Sequence, residues 1–474
     1  MDMMNSATKS FVDSPRKTYY SMSLLLLAIG MATFRVMTRP KTNAPSLHPP
    51  GFFEFFAVRR RVQAIHGSRS LLEDSYKSFP GKSFRIMTNF AEMIILPYKS
   101  ANEIRNDERF SFFGFTRRTL NEETAFAMSE ILTEEQDWHT ITLKKVALEL
   151  IARISSRVFL GEELCRNEEW LKVTREYAVT IFQAVNEMLV WPSLVRGIVS
   201  RFSPTSRRAA SLIKDARMCM EPVLEKRQQE RASGTYVPYN DAIEWFEAAA
   251  KSDKEDLVLA QLGLSTAAIF GTMDSLSQTV GHLAVHHDFI EPLRKEVIEC
   301  LVEGGWNKTT LQNMKLLDSC IKESLRMKPM FMFSMGRRVR EDVTLSDGTF
   351  LPKGSLVAVS SQGMHDPAVY ANPYQWDGAR FFNMGHQPGQ EQTSQLVATG
   401  PNHLAFGHGH HACPGRFFAA NEIKIALAHL LLKYDFRLHD REPRVKTHGL
   451  SQNTDPDFKL DVRRRREEID LGAL

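Results

Sequence analysis

The stretch from Ser252 to His286 holds no proline and shows little polar surface along its whole length. It opens with Ser252 and Glu255 in the spacing of a capping box, in which a side-chain oxygen and a carboxylate satisfy backbone N–H groups that the first helical turn leaves open. A helix of this length that is apolar nearly all round has no face to offer to water, so it must cross a core. The rest of the chain therefore has to wrap around it, which predicts a large, mainly helical domain. With 474 residues, 43% hydrophobic and 24% charged, the chain is long enough to do so. No internal repeat or low-complexity tract divides it, and residues 51–474 read as one domain.

Sixty basic against 56 acidic residues leave a formal charge of only +4, so nothing calls for a nucleic acid or other polyanionic partner. Cys165, Cys219, Cys300, Cys320 and Cys413 are scattered, odd in number and free of C-x-x-C spacing. That argues against a disulfide framework and a zinc ribbon and for a reducing compartment. The N-terminal tail, residues 1–38, differs from the body. Its run 19–34 is uncharged and mostly apolar, with Lys9, Arg16 and Lys17 before it and Arg35, Arg39 and Lys41 after it. We expect an uncleaved membrane anchor there. The run falls just short of the roughly 17 to 25 residues that span a bilayer upright, which keeps a re-entrant helix or a signal-peptide core as alternatives. Residues 39–50 contain prolines and read as a stiff linker.

Residues 342–361 alternate apolar and polar positions around Asp347-Gly348 and Pro352-Lys353-Gly354, which predicts a short hairpin. Residues 362–405 are rich in Pro, Gly, Asn and Gln and lack periodicity, so they form a long loop. Then comes Phe406-Gly-His-Gly-His-His-Ala-Cys413-Pro-Gly415-Arg, followed by Asn421 to Leu432 with apolar residues at helical spacing. A glycine-rich loop thus delivers a cysteine to a helix start, where open N–H groups and the helix dipole favour the thiolate, the form that binds metal. Gly407, Gly409 and Gly415 let the backbone approach a flat, bulky partner. A zinc or copper site built from His408, His410, His411 and Cys413 is the rival, but ligands so crowded in one loop rarely close a tetrahedron. The other four cysteines read as small buried hydrophobes.

Phe406, Gly409, Cys413 and Gly415 complete the signature F-x-x-G-x-x-x-C-x-G, which resembles the haem-binding loop of the cytochrome P450 family. The resemblance implies haem b held by Cys413 as the axial iron ligand, with His411, two residues earlier, reaching a haem propionate. His408 and His410 are then surface or packing residues. Glu323-Ser-Leu-Arg326 lies on an amphipathic helix, where i,i+3 spacing puts carboxylate and guanidinium on one face. Such a pair alone is weak, but Asn372 to Phe381 follows at the expected remove, and the resemblance makes Glu323, Arg326 and Arg380 a buried structural triad beneath the haem. Arg337 or Arg338 would take a second propionate, and we favour Arg337.

The chain also departs from the family. The long helix reads Ala267-Ala268-Ile269-Phe270-Gly271-Thr272 where members usually show A-G-x-(D/E)-T-T, with Phe270 in place of the acid and Gly271 in place of the first threonine. Those groups normally pass protons to bound dioxygen. Thr272, a substrate hydroxyl or ordered water would have to substitute, while Gly271 permits local opening of the helix. Leu264, Ile269 and Phe270 offer an apolar wall. Between Phe115 and Trp138 the chain looks too short for the early helix in which members often carry W-x-x-x-R.

The spelling GHGHHACPGRFFAANEIK is most similar to fungal members of secondary metabolism. The resemblance implies a mainly α fold with a helical domain and a small β-sheet domain, behind an endoplasmic-reticulum anchor, with the catalytic domain in the cytosol. It implies a monooxygenase that takes dioxygen and a lipophilic substrate such as a terpenoid, with electrons from an NADPH-dependent cytochrome P450 reductase or from cytochrome b5. Two alternatives stand beside it. One is a haem-thiolate isomerase or dehydratase that consumes no dioxygen, the other a truncated, inactive haem-binding pseudoenzyme.

Overall fold

In the computed structural model, residues 42–47, 49, 60, 71, 74–87, 92–97, 100, 110–111, 135–165, 167–233, 241–249, 256–305 and 308–469 are described. The helices that position the site are α1 (Leu143–Leu164), α2 (Glu168–Val190), α3 (Ser193–Phe202), α4 (Pro204–Ser233), α5 (Leu257–Val285), α6 (Lys315–Met327) and α7 (Arg416–Lys433). As its composition requires, α5 crosses the core. Its Ile269, Met273, Leu276, Val280 and Leu283 pack with Ala147 and Ile151 of α1, Leu317 and Ile321 of α6, and Leu427 and Leu431 of α7. Each of the Ile, Met, Leu and Val side chains contributes roughly 1.5 to 3 kcal/mol on full burial. The cap of α5 is Asp256, whose carboxylate accepts from the N–H groups of Val258 and Leu259. Ser252 and Glu255, expected to cap it, lie outside the described residues.

The described strands are β1 (Phe84–Met87), β2 (Glu92–Leu96), β3 (Phe110–Ser111), β4 (His139–Thr142), β5 (Phe333–Val339), β6 (Val343–Thr344), β7 (Phe350–Leu351), β8 (Leu356–Ser360), β9 (Tyr434–Leu438), β10 (Val445–His448), β11 (Ser451–Thr454) and β12 (Lys459–Arg464). They form a sheet in the order β1-β2-β8-β5-β3, a second in the order β4-β12-β9, and the pairs β6–β7 and β10–β11. The architecture is mainly helical with small sheets, as the sequence implies. The hairpin expected over 342–361 is shorter than that range. β6 and β7 pair around Gly348 (φ +83°), and the chain then turns at Gly354 (φ +87°) and leaves the hairpin. Every residue of β8 is buried, which a two-residue partner strand cannot provide, so β8 runs between β2 and β5 instead.

The N-terminal run 19–34 lies outside the described residues. Within 39–50, the described part is docked on the body: Thr42 Oγ1 donates to the Phe350 carbonyl at 2.7 Å, Arg85 Nε to the Ala44 carbonyl at 2.8 Å, and Ala44 is buried. The stretch 362–405 is largely irregular, as expected, and is pinned from α6, where the buried Lys322 donates to the carbonyls of Thr393 and Gln395 at 2.7 Å each.

Where α7 meets α1, Ser155 Oγ donates to Glu422 Oε1 at 2.7 Å, and Glu422 Oε2 is buried with no hydrogen-bond partner among the described residues. Burial pushes the Glu422 carboxyl up to about 8, against an ordinary value of 4.5. Between these two values the unfolded chain binds fewer protons at this position than the folded one, so the stability it contributes falls as pH rises through that window. Glu422→Gln keeps the acceptor for Ser155 and removes the titration. Its melting temperature is expected to gain on that of the wild type steadily from pH 4.5 to 8; parallel profiles would contradict this.

Candidate active site

The cysteine loop is shaped by its glycines and closed by its own backbone. Gly407 (φ +68°) and Gly409 (φ +80°) take left-handed conformations that strain other residues. The N–H of Cys413 then donates back to the Phe406 carbonyl at 2.7 Å, and that of Ala412 to the Gly409 carbonyl at 3.0 Å. α7 starts three residues after Cys413, with Gly415 as its N-cap residue in an ordinary conformation (φ −83°). An added Cβ at Gly415 would meet nothing within 4 Å, so this side of the loop is open. Arg416 braces the turn by donating to the Cys413 carbonyl at 2.7 Å and the Val397 carbonyl at 3.1 Å.

Cys413 is half-buried. Burial pushes its thiol pKa up and outweighs the opposing pull of the Gly415 and Arg416 N–H groups and the Arg416 charge. The N–H groups at the helix start favour the thiolate, as the sequence leads one to expect, while desolvation acts against it. A metal ion at the sulfur supplies the missing positive charge and deprotonates a thiol outright.

β5 lies beside the loop: a Cβ on Gly407 would come 3.8 Å from Ser334 Oγ. β5 carries a register shift between Ser334 and Arg337, with Met335 at φ +54°. Such a bulge re-aims the side chains that follow it. Arg337 is 1% exposed and Arg338 is exposed, so the two arginines face opposite sides of the strand. Arg337 Nη1 donates to the Gly336 carbonyl at 2.8 Å, and burial lowers its pKa to about 10. His411 titrates below its ordinary value through burial and the charges of Arg337 and His410, which places Arg337 within electrostatic reach of the loop. His408 turns inward toward Thr399 and His410 is exposed. Among the described residues no three His, Cys, Asp or Glu side chains gather as a metal site, against the zinc or copper alternative.

Glu323, Arg326 and Arg380 come together in the core. Arg326 is bidentate on Glu323, with Nε to Oε2 at 2.7 Å and Nη2 to Oε1 at 2.8 Å. Arg326 Nη1 also donates to the carbonyls of Met364 and Pro373. Arg380 Nε donates to Glu323 Oε1 at 3.0 Å, while its Nη1 and Nη2 hold the Ala371 and Gln375 carbonyls. One carboxylate thereby fixes α6 to the irregular segment that leads into the cysteine loop.

On α5, a Cβ at Gly271 would meet Met330 Cε at 3.2 Å. The Phe270 ring packs on Phe182 of α2 at 5.7 Å between centroids. Thr272 is 3% exposed, and its hydroxyl donates to the Ala268 carbonyl at 2.7 Å, satisfied within the helix. One charged residue here was not singled out in the sequence. Asp274, 2% exposed, accepts from Thr454 N and Oγ1 at 2.8 Å each and from Lys328 Nζ, with Lys144 Nζ at 3.9 Å. Burial alone would raise its pKa, but the charges of Lys328 and Lys144 hold it below the ordinary value. An acid in the middle of an apolar helix was the available signal.

A family model described as Cytochrome P450 matches residues 74–460. The chain belongs to the cytochrome P450 family. It is 42% identical to cytochrome P450 monooxygenase hepE of Aspergillus oryzae, over 93% of this chain and 89% of the relative. It is 37% identical to cytochrome P450 monooxygenase TRI1 of Fusarium sporotrichioides, over 97% and 93%. These alignments run over 489 and 505 residues, more than the 474 of this chain, so both relatives carry residues that this P450 lacks. Among solved structures, the retinoic acid-bound cyanobacterial CYP120A1 superposes with a TM-score of 0.62 at 19% identity, covering 85% of this chain and 96% of that one, which shows the shared fold. P450s are monooxygenases that bind haem through a cysteine thiolate. The site fits that group: a cysteine at a helix start with N–H donors on its sulfur, an open glycine beside it, and Arg337 and His411 as groups able to meet carboxylates.

Proposed function

We propose that this P450 hydroxylates or otherwise oxidises a lipophilic small molecule, a terpenoid or related fungal secondary metabolite, with electrons from an NADPH-dependent reductase or cytochrome b5. The observation that carries the reading is the Cys413 loop closed against β5 and braced at the start of α7. In this reading Cys413 ligates the haem iron, His411 and Arg337 hold propionates, and Glu323, Arg326 and Arg380 lock the loop in place. Bound haem supplies the activation of dioxygen. The chain orients the substrate and keeps water out. Support for a lipophilic substrate comes from Met330 against Gly271 and from the apolar cluster that adjoins it in sequence, in which Met332 and Phe333 pack with Val185, Leu189 and Leu450. The N-terminal run would hold the enzyme at the endoplasmic-reticulum membrane with the catalytic domain in the cytosol.

A second reading, rearrangement or dehydration of an oxygenated substrate without dioxygen, is favoured by Phe270 and Gly271 at the relay positions and by the engaged hydroxyl of Thr272. A third, a shortened inactive product, is favoured by the residues that the relatives carry in excess; transcript sequencing that restores them in frame would remove the motive for it. Turnover of a terpenoid panel with reductase, NADPH and isotopically labelled dioxygen separates the first two. Label in the product, dependent on NADPH, is the expected result, and turnover without NADPH or reductase would overturn the proposal in favour of the second reading.

A further inference from the structure

Among the described residues, a cavity of about 650 Å³ lies where α1, α5 and α7 meet the sheet β4-β12-β9. Small-molecule sites typically measure roughly 300 to 1,000 Å³. The wall is apolar, with Leu150 and Ile154 from α1, Leu276 from α5, Leu430 from α7 and Leu460 from β12. The same three helices pack tightly elsewhere along their contact, where Ile151, Met273 and Leu427 are at most 1% exposed. Leu150, Ile154 and Leu430, in contrast, are only half-buried. An aliphatic wall left open in this way forgoes the dispersion contacts that an apolar occupant would restore.

The polar groups of the wall define the chemistry of that occupant. The lining residues with polar side chains are Arg153, His429, Lys433 and Tyr434, and none is an acid or an amide. His429 and Lys433 stand one turn apart on α7 and share a face. The charge of Lys433, with burial, lowers the His429 pKa, so the two groups lie within electrostatic reach, while Glu467 pulls the other way. Arg153 also reaches Glu168 of α2, but at 3.4 Å from Nη2 to Oε1, a long and weak bond. A ligand ammonium would meet like charge here. A carboxylate would meet guanidinium, ammonium and imidazole, all able to donate.

We infer that this cavity binds a long-chain aliphatic carboxylic acid, with its tail along the leucines and its carboxylate at Lys433 and Arg153. The site is separate from the cysteine loop: its lining on α7 starts at Ile425, nine residues or about 13 Å along the helix from Arg416. It does not rest on the substrate proposed above. The full-length haem-loaded protein would be titrated with cis-parinaric acid, a fatty acid that fluoresces when held in an apolar site. Saturable emission is expected with no change in the Soret band. Palmitic acid should displace the probe, hexadecylamine should not, and the melting temperature should rise with acid concentration, because the folded state alone offers the site. An Arg153→Gln, Lys433→Gln double variant should bind at least about tenfold more weakly, the loss of one charge-assisted hydrogen bond. Ile425→Trp, which places an indole in the wall, should abolish binding, with the haem spectrum of both variants unchanged. Affinity that survives both variants would overturn the inference. So would a Soret shift that tracks the emission, which would assign the acid to the haem pocket, or no saturable emission in the wild type, which would leave the cavity to another part of this chain.

Discussion

Glu323→Gln is expected to leave a protein that purifies largely without haem and has lost about 3 to 5 kcal/mol of stability, the range for removing one partner of a buried ion pair. The reason is local. Glu323 and Arg326 are both 0% exposed, and Glu323 is bonded to two guanidinium groups and to the Asp377 N–H. A neutral amide cannot accept from all four N–H donors, so a buried positive charge is left without its counterion. The carbonyls of Met364, Pro373, Ala371 and Gln375, all held by the same two arginines, then lose their anchor, and with them the path of the chain into the cysteine loop. Urea unfolding and the ratio of haem to protein absorbance check this. Full haem content with an unchanged urea midpoint would show that the triad does not secure the loop.

Asp274→Asn is expected to cost a similar amount, about 3 to 5 kcal/mol, by stranding Lys328 and Lys144 beside a buried amide. The folded carboxyl titrates below 3.8, so its contribution is fully present above pH 3.8 and is lost as pH falls through the lower folded value. Wild-type protein should therefore lose its advantage over Asp274→Asn in strongly acid solution and keep it at neutral pH. A variant as stable as the wild type at neutral pH would mean that the network contributes nothing beyond solvated surface pairs.

The parts of this P450 that were legible in the sequence are those written in local patterns. The Cys413 loop is a short stretch with three interspersed glycines just before a helix, and α5 is a contiguous apolar run; both folded as read. Glu323 and Arg326 share a helix face, and the segment holding Arg380 follows the expected motif. Parts that depend on distant partners were not legible. The choice between Arg337 and Arg338 rests on a bulge in β5 that no composition signals. Asp274 takes its meaning from Thr454, which is 180 residues away. β8 left the expected hairpin because its burial pattern is satisfied only between two other strands. The thiol of Cys413 was read from its helix alone, while the burial that raises its pKa comes from the packing around it.

The most direct test of the central claim is the reduced, carbon monoxide-bound visible difference spectrum of the full-length protein beside Cys413→Ser. The expected result is a red-shifted thiolate Soret band in the wild type that disappears in the variant. Loss of the band in neither protein, or a wild type with no haem band at all, would contradict ligation of haem by Cys413.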